Sequence, residues 1–380
     1  MKIAILHSRY SARVPSGENM VVDAEVAALA RRGIDVRLFQ TDPNTVRAGR
    51  LYPARAGLRA TTGRGRSFSE EIHDFRPDLV HVHNVFPDLG ERSVASLPYP
   101  LVATAHNYRW GCVAGTFFRE GETCTKCVSG SPLAGVVHGC HHGRLGSLPL
   151  AIAHVGGISR NPIVRKAREI WSPSELHRRR LTEFGLPVRK TKVSPHFLPD
   201  WLSPSPIDGK RENMVFVGRL EAAKGVLNLV RQWPKCGPGL DIVGDGTLRA
   251  KIVEAARGKP IRLRGQQKRE VVLGILASAR GLVFSSEWWE PFGLVAIEAL
   301  AAGTPILTWG DHAVSELTLR HEAGVVLSEP EHLGDGLARI ADRSPDDWAR
   351  RNRTAFLDNY SETVWQARRE SEYRNVIDGS

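Results

Sequence analysis

The sequence lacks any apolar run close to the roughly 20 residues that a membrane-spanning helix needs. It also lacks low-complexity tracts and internal repeats of roughly 20–50 residues, which excludes disordered chains and solenoids. No basic leader with an apolar segment is present, so we do not expect export. Zinc-finger, helix-turn-helix and RNA-recognition signatures are missing as well, so we expect no nucleic-acid partner.

The composition is that of an ordinary globular protein, with 380 residues, 42% of them hydrophobic and 24% charged. Length alone suggests two domains, because single cores stop growing at about 250–300 residues. The excess of 52 Lys+Arg over 41 Asp+Glu gives a net charge of +11. This charge favours polyanionic partners such as nucleotides or an acidic membrane surface. We expect a cytoplasmic protein and leave peripheral contact at the inner membrane face open.

Short apolar runs alternate with amphipathic segments along the whole chain. In the first half, buried strands are predicted at residues 2–6, 36–39, 79–82 and 101–105, with helices at 19–32 and 68–75. A segment rich in Pro and Ser, residues 194–210, reads as a linker, after which the same rhythm restarts. Such alternation is typical of parallel sheets covered by helices. The sequence therefore predicts an α/β protein made of two doubly wound, Rossmann-like domains that face each other across a cleft.

The strongest local signal lies at residues 284–305, where a strand is followed by a loop and a helix. We expect Pro291 to begin that helix, because proline is favoured at the first helical position. The backbone N–H groups of Phe292, Gly293 and Leu294 would then form an anion site. Glu290 and Glu298 flank it, and carboxylates accept hydrogen bonds from vicinal hydroxyls. For either Glu alone, a capping acid or a surface residue is the simpler explanation.

An ordered set of motifs carries a resemblance to a known family. Its members are EPFGLVAIE at 290–298, GRLEAAKG at 218–225, GDG at 244–246, PDLVHVH at 77–83 and TAHN at 104–107. Together they resemble glycosyltransferase family 4, the glycosyltransferases group 1, which are retaining enzymes of the GT-B fold that use nucleotide sugars. The resemblance implies an acceptor domain at residues 1–196 and a nucleotide-sugar donor domain at 197–355. It also implies a C-terminal helix, 356–380, that packs back on the N-terminal domain.

By this resemblance, Arg219 and Lys224 stabilise the charge that develops on the nucleotide diphosphate. A guanidinium fork and a point charge suit that task, although a basic surface loop is the alternative reading. Glu298 would hold the ribose hydroxyls, and Glu290 the hydroxyls of the donor sugar beside the amides of 292–294. Gln266 falls in the segment that contacts the base.

Two residues of the N-terminal half complete the site that the resemblance implies. Gly17 would let the backbone approach the diphosphate, because glycine has no side chain. His106 follows a predicted strand and would approach the donor sugar near the reacting carbon. Taken alone, Gly17 fits an ordinary turn and His106 a structural histidine.

The implied reaction is metal-independent transfer of a hexosyl group, with retention, from a UDP- or GDP-linked sugar to a hydroxyl acceptor. That acceptor could be a sugar, a lipid-linked molecule or a small molecule in polysaccharide, glycolipid or natural-product biosynthesis. No cofactor is expected for catalysis. The alternatives are a GT-B nucleotide-sugar epimerase and a non-catalytic basic protein at anionic membranes.

Four of the five cysteines fall within an insert at residues 108–143. Cys112, Cys124, Cys127 and Cys140 have spacing compatible with structural zinc. A reducing compartment disfavours disulfides, so zinc and four reduced thiols both remain open.

Overall fold

A computed structural model of the chain describes residues 1–10, 16–202 and 211–379, without the side chain of Trp201. The chain divides into two compact units. The first comprises Met1–Phe117, Cys124–Pro195 and Gln366–Ser380, and the second comprises Phe118–Thr123 and His196–Trp365. The domain boundary expected from the sequence lies at residues 196/197, and the boundary in the structure lies at Pro195/His196.

Within its described residues, the first unit is built on a six-stranded sheet in the order β2-β1-β3-β4-β7-β8, with every neighbouring pair parallel. Its strands are β1 Lys2–Ser8, β2 Asp35–Thr41, β3 Leu79–Asn84, β4 Leu101–Thr104, β7 Glu169–Ser172 and β8 Thr191–Val193. The register is set by pairs such as Ile3 opposite Val36 and Leu79. Ile3 to Leu6 are fully buried, as expected for a central parallel strand covered on both faces.

Helices cover this sheet and extend from it. They are α1 Gly17–Arg31, α2 Pro43–Val46, α3 Tyr52–Thr62, α4 Ser69–Phe75, α5 Glu91–Ala95, α6 Lys126–Ser129, α7 Ala134–Val137, α8 Gly143–Ala153, α9 Pro162–Lys166 and α10 Glu175–Glu183. A short antiparallel hairpin, β5 Phe118–Arg119 with β6 Glu122–Thr123, follows β4. The sequence did not indicate α3 or α8, because neither alternates with a predicted strand.

The second unit repeats the architecture on a parallel sheet in the order β11-β10-β9-β12-β13-β14. Its strands are β9 Met214–Val217, β10 Leu240–Val243, β11 Ile261–Gly265, β12 Gly281–Phe284, β13 Ile306–Trp309 and β14 Gly324–Leu327. Its helices are α11 Val226–Gln232, α12 Arg249–Ala255, α13 Arg269–Ser278, α14 Leu294–Ala301, α15 Ala313–Arg320, α16 Leu333–Asp342 and α17 Pro345–Asn359. The final helix, α18 Glu362–Asp378, begins in this unit and ends in the first.

The two strand orders locate the ligand sites. In an open parallel sheet, ligands bind at the carboxyl ends of strands where the strand order reverses. That point lies between β1 and β3 in the first unit and between β9 and β12 in the second. The predicted doubly wound α/β class is confirmed, and the loops after these four strands are where chemistry is expected.

Buried apolar residues of the predicted linker pack within the second unit. Leu198 forms an isolated bridge with Ser361, and Phe197 stacks on Trp365 with ring centroids 4.2 Å apart. Phe197, Leu198 and Leu202 are buried, because these apolar side chains join the core of the second unit. Residues 203–210 of the segment lie outside the described residues. In the described part of the chain, no helix is both long and apolar enough to cross a membrane.

Gly225 gives a test of this architecture. Its φ of +65° is left-handed, and a Cβ there would lie 1.9 Å from the Ser285 carbonyl oxygen. Gly33 is also left-handed, at +80°, but a Cβ there would meet nothing within 4 Å. We expect Gly225→Ala to lower the free energy of unfolding by about 3 kcal/mol or more, against about 1–2 kcal/mol for Gly33→Ala. Urea unfolding measures both, and equal losses would contradict the close approach.

Candidate functional site

Two loops of the second unit are joined at the point where the strand order reverses. One follows β9 and contains Lys224, and the other follows β12 and contains Ser285. The Ser285 hydroxyl donates to the Lys224 carbonyl over 2.9 Å, and the Glu287 amide donates to the Ala223 carbonyl over 3.0 Å. Gly225 permits this approach, since any side chain there would meet the second loop.

The joined loops bring Lys224 and Glu290 together as a half-buried ion pair. Lys224 Nζ lies 2.5 Å from Glu290 Oε2, and the same oxygen accepts hydrogen bonds from Ser286 Oγ at 3.0 Å and Trp288 Nε1 at 2.6 Å. Burial alone would raise the pKa of Glu290. The Lys224 charge and the three donors outweigh burial and hold that pKa below its ordinary value. The carboxylate is therefore ionised and fixed in place.

The helix after Glu290 starts later than the sequence predicted. α14 begins at Leu294 and not at Pro291, because Gly293 has a φ of +86°, a conformation that a right-handed helix excludes. A Cβ on Gly293 would lie 2.4 Å from Val314 Cγ2, so a larger residue would not fit. The amides of the first turn, beginning with Leu294, still form the positive end of the helix.

Glu298 lies inside α14 and pairs with Arg269. Its carboxylate is buried, and burial raises the pKa of Glu298 although the Arg269 charge opposes that shift. Arg269 was not anticipated from the sequence, since α13 offered no motif. Arg219 differs from Lys224: its side chain is 60% exposed and pairs with Glu221 over 2.8 Å. The structure therefore does not add Arg219 to the Lys224–Glu290 pair.

The GDG turn packs directly on the loop that contains Arg219. The Leu220 amide donates to the Asp245 carbonyl over 2.9 Å, and a Cβ on Gly244 would lie 1.9 Å from the Gly218 carbonyl oxygen. The Gly244 amide donates a hydrogen bond to the Gly265 carbonyl over 2.8 Å, and the exposed Gln266 follows Gly265 in the chain. These motif glycines are thus needed for backbone contact between neighbouring loops.

His312 is a buried residue of this unit that sequence reasoning missed. It caps α15 by accepting a hydrogen bond from the Ser315 amide at 3.2 Å, and its Nε2 lies 3.2 Å from Thr308 Oγ1. Burial lowers the pKa of His312 to about 4, although the Glu290 charge acts in the opposite direction. The imidazole is therefore neutral at pH 7.

In the first unit, Gly17 is the first residue of α1. Ser16 caps the helix by accepting a 3.4 Å hydrogen bond from the Asn19 amide. The rest of the predicted glycine loop, Val14 and Pro15, lies outside the described residues. Glu18 follows Gly17, and burial raises the pKa of Glu18 to about 8, although hydrogen bonds from Tyr10 and Asn107 and the charge of Arg109 act in the opposite direction. No sequence motif had pointed to this buried acid.

His106 follows β4 and contacts a buried histidine of β3. His106 Nε2 lies 2.9 Å from His83 Nδ1, and the two rings are stacked. His83 Nε2 faces Glu25 Oε2 at 3.6 Å. The line from Glu25 through His83 to His106 is polar, although it lies mostly within the core.

Glu25 is the centre of this network. Arg369 Nε lies 3.4 Å from Glu25 Oε1, Tyr373 donates to the same oxygen over 3.0 Å, and His81 Nδ1 is 3.2 Å away. Burial alone would raise the pKa of Glu25, but the charge of Arg369 and the hydrogen bond from His81 hold it well below its ordinary value. The two histidines at alternate positions of β3 were the one sequence signal for this cluster, since period two places them on one face.

Glu25, His81 and His83 also form the one group in the described part of the chain whose ligand atoms are close enough to hold a metal ion together. The Arg369 guanidinium already supplies the positive charge beside this carboxylate, and Tyr373 already bonds to it. We therefore treat the group as a hydrogen-bond network.

The predicted zinc site is not supported. Cys112, Cys124, Cys127 and Cys140 are all described and none forms a disulfide, and they do not bring three ligand atoms within 4.8 Å of one another. A tetrahedral zinc site needs such convergence. Cys112 is buried in the core of the insert instead, and its Sγ accepts a hydrogen bond from the Phe117 amide at 3.4 Å.

His312 should make stability depend on pH. Its folded pKa of about 4 lies below the ordinary value of 6.5, so the folded state binds fewer protons between these values. The stability is complete above pH 6.5 and is lost as pH falls toward 4. We expect His312→Asn, which keeps a capping oxygen, to remove up to about 3 kcal/mol of that pH-dependent loss. Urea unfolding at pH 7.5 and 4.5 measures the free energy of unfolding at each pH. An equal decrease between these pH values in both proteins would contradict the assignment.

The Glu25–His83–His106 line predicts one tautomer of His106. The negative Glu25 carboxylate lies 3.6 Å from His83 Nε2, too far for a hydrogen bond, but its charge favours the proton on that nitrogen. His83 Nδ1 is then left to accept from His106 Nε2–H. Nitrogen-15 NMR should show the Nε2–H form of His106. His83→Asn keeps an acceptor and should preserve this form, whereas His83→Leu should yield a mixture. An Nδ1–H form in the unchanged protein would refute the network's direction.

Comparison with known proteins follows the same division. Residues 15–199 match the model described as Glycosyltransferase Family 4, and residues 211–343 match Glycosyl transferases group 1. A glycogen synthase of Mycobacterium tuberculosis is 28% identical over 330 residues, covering 82% of this chain and 70% of its own length.

Solved structures show the same fold. Sucrose-phosphate synthase of Thermosynechococcus elongatus superposes with a TM-score of 0.72 at 20% identity, covering 100% of both chains. Anabaena HepE in complex with UDP-glucose gives a TM-score of 0.60 at 15% identity, covering 99% of this chain and 100% of its own. With two family models matching most of its length and this fold in both units, the chain belongs to the group 1, family 4 glycosyltransferases and has the GT-B fold.

Proposed function

We propose that this glycosyltransferase moves a hexosyl group, with retention, from a UDP- or GDP-linked sugar to a hydroxyl acceptor. The product would belong to a polysaccharide, a glycolipid or a natural product, and the reaction would take place in the cytoplasm. The neighbour HepE, whose structure contains UDP-glucose, supports a nucleotide-sugar donor.

The Lys224–Glu290 pair carries the proposal. It combines a cation and an ionised carboxylate at the carboxyl ends of β9 and β12, next to the positive end of α14. A diphosphate needs the cation and the helix amides, and a sugar needs a hydrogen-bond acceptor for its hydroxyls. The glycines at 225 and 293 that hold this geometry tolerate no side chain.

The other expected residues take roles around this pair. Glu298 would accept the ribose hydroxyls once a ligand competes with Arg269, and Gln266 would lie beside the base. The exposed side chain of Arg219 would turn toward the diphosphate when the nucleotide sugar binds. In the first unit, Gly17 would let the backbone approach the diphosphate, and His106 would contact the donor sugar.

In the proposed reaction the bond from the anomeric carbon to the phosphate oxygen breaks, and a bond to the acceptor oxygen forms on the same face. The departing phosphate oxygen takes the acceptor's proton. Lys224 and the α14 amides stabilise the negative charge that develops on the leaving diphosphate. This route uses no metal and does not need the paired carboxylates of a glycosidase.

Substitutions of the pair should have opposite effects on nucleotide binding. Lys224→Ala removes the cation, so UDP or GDP should bind more weakly and turnover should fall about 100- to 1,000-fold. Glu290→Gln removes the carboxylate that competes for Lys224, so the same nucleotide should bind several-fold more tightly. Turnover should still fall, because a contact to the sugar is lost. Calorimetry with UDP and GDP and a transfer assay measure these effects.

The matched control is Lys251→Ala, at an exposed lysine of α12, which should change neither quantity. If Lys224→Ala lowered stability and turnover in equal proportion, the pair would be structural. Product analysis separates the rival epimerase, which would release nucleotide without an acceptor. A non-catalytic basic protein would bind anionic liposomes and show no turnover.

A further inference from the structure

The residues assigned to the proposed reaction leave a large apolar cavity in the first unit without a role. Its volume is about 830 Å³, within the range of small-molecule sites. Helices α3 and α8 form its walls, with Ala56 and Ala60 on one side and Leu145 and Leu150 on the other. α3 is fixed at the base of the cavity, because Tyr52 OH donates to the buried Asp88 over 2.8 Å.

The two helices that line this cavity expose apolar side chains to water, although among those named below only Leu145 lines the cavity itself. α3 buries none of its residues, and Leu58 on it is 64% exposed. On α8, Leu145 is 89% exposed, and Leu148 and Ile152 are exposed as well. Exposed apolar side chains gathered around an apolar cavity mark a binding surface more than isolated ones do.

The cavity adjoins the pocket that contains His106. Phe86 lines both, and the second pocket is also lined by His83, His106 and Arg109. The Arg109 guanidinium carbon lies 4.3 Å from the centre of the Phe86 ring. Phe86 and Arg109 therefore mark the boundary between an apolar space and a polar one.

Arg109 has hydrogen-bonding capacity that the described residues do not use. Its Nε and Nη1 are buried and have no hydrogen-bond partner there. Buried donors without partners are unfavourable by about 1–3 kcal/mol each, so an acceptor group on a ligand would relieve them. Burial also raises the pKa of the nearby Glu18 to about 8, so that acid does not neutralise Arg109 at pH 7.

We propose that the acceptor is a phosphorylated amphiphile, whose hydrocarbon chain occupies this cavity and whose phosphate meets Arg109. The hydroxyl to be glycosylated then lies on the His106 side of Phe86. This inference rests on the proposed function, since it names the acceptor class of the same site. An anionic group on the acceptor is favoured by the exposed arginines on and near the two helices, which are Arg50, Arg55, Arg64 and Arg144.

Binding of soluble single-chain probes tests the proposal without any turnover. Dodecyl phosphate, below its micelle concentration, should bind the full-length protein at one site, as measured by calorimetry. Inorganic phosphate and dodecyltrimethylammonium should bind far more weakly, since each lacks one of the two features. Across decyl, undecyl and dodecyl phosphate, affinity should rise up to about fourfold per methylene.

Variants at the rim and at the boundary locate the site. Leu145→Asp should weaken dodecyl phosphate at least tenfold, and the control Leu319→Asp, at a similarly exposed leucine of α15, should not. Arg109→Gln should remove the preference for dodecyl phosphate over dodecyltrimethylammonium, whereas Arg144→Gln should keep it. Ala60→Trp, which fills the cavity, should abolish binding of dodecyl phosphate. The control Ala338→Trp, at an exposed alanine of α16, should not.

An isoprenoid phosphate and a phospholipid would offer the same chemistry. Binding of farnesyl phosphate and of a short two-chain phosphatidic acid distinguishes these two sources. The tighter binder indicates an isoprenoid phosphate or a phospholipid. The proposal would be overturned if dodecyl phosphate bound no more tightly than inorganic phosphate. It would also be overturned if Leu145→Asp and Ala60→Trp left the affinity for dodecyl phosphate unchanged. Adsorption to phosphatidylglycerol vesicles without binding of the monomeric probe would do the same. UDP and GDP binding, measured on the same samples, reports separately on the donor site, so failure of one is distinguishable from failure of the other.

Discussion

The close approach of Gly225 to the Ser285 carbonyl is the constraint on which the proposed donor site depends. The loop after β9 can reach the loop after β12 only where no side chain intervenes. Lys224 then reaches Glu290, which Ser286 and Trp288 hold from the other side. Ordering two long, flexible side chains is entropically unfavourable. In this pair the two side chains are already positioned before any ligand binds.

Both units contain buried acids whose charge is set by their neighbours. Glu25 and Glu290 are held ionised by Arg369 and Lys224, while burial raises the pKa of Glu18. Replacing one partner of such a pair leaves an uncompensated charge. In the proposed reaction, a phosphate that competes for Lys224 would leave Glu290 in need of a new donor, which a hydroxyl of the attached sugar would supply. This exchange would couple diphosphate binding to sugar binding.

The alternation of strands and helices, the two-domain division and the motif loops could be read from the sequence, because periodicity and glycine positions are local. The start of α14 could not, since the left-handed Gly293 overrides the preference of Pro291 for a first turn. The partner Arg269 of Glu298 also escaped prediction, because it depends on how two helices pack. The zinc reading failed for the same reason: cysteine spacing does not fix where four sulfur atoms point.

The first unit separates two kinds of chemistry by one aromatic ring. On one side of Phe86, the imidazoles of His83 and His106 lie in line with Glu25, and on the other side α3 and α8 line apolar space. Burial also lowers the pKa of His141, one of the two histidines that line the cavity, to about 4. Arg109 lies beside Phe86 at this boundary, and its position fits an acceptor whose polar and apolar parts are joined by a single anionic group.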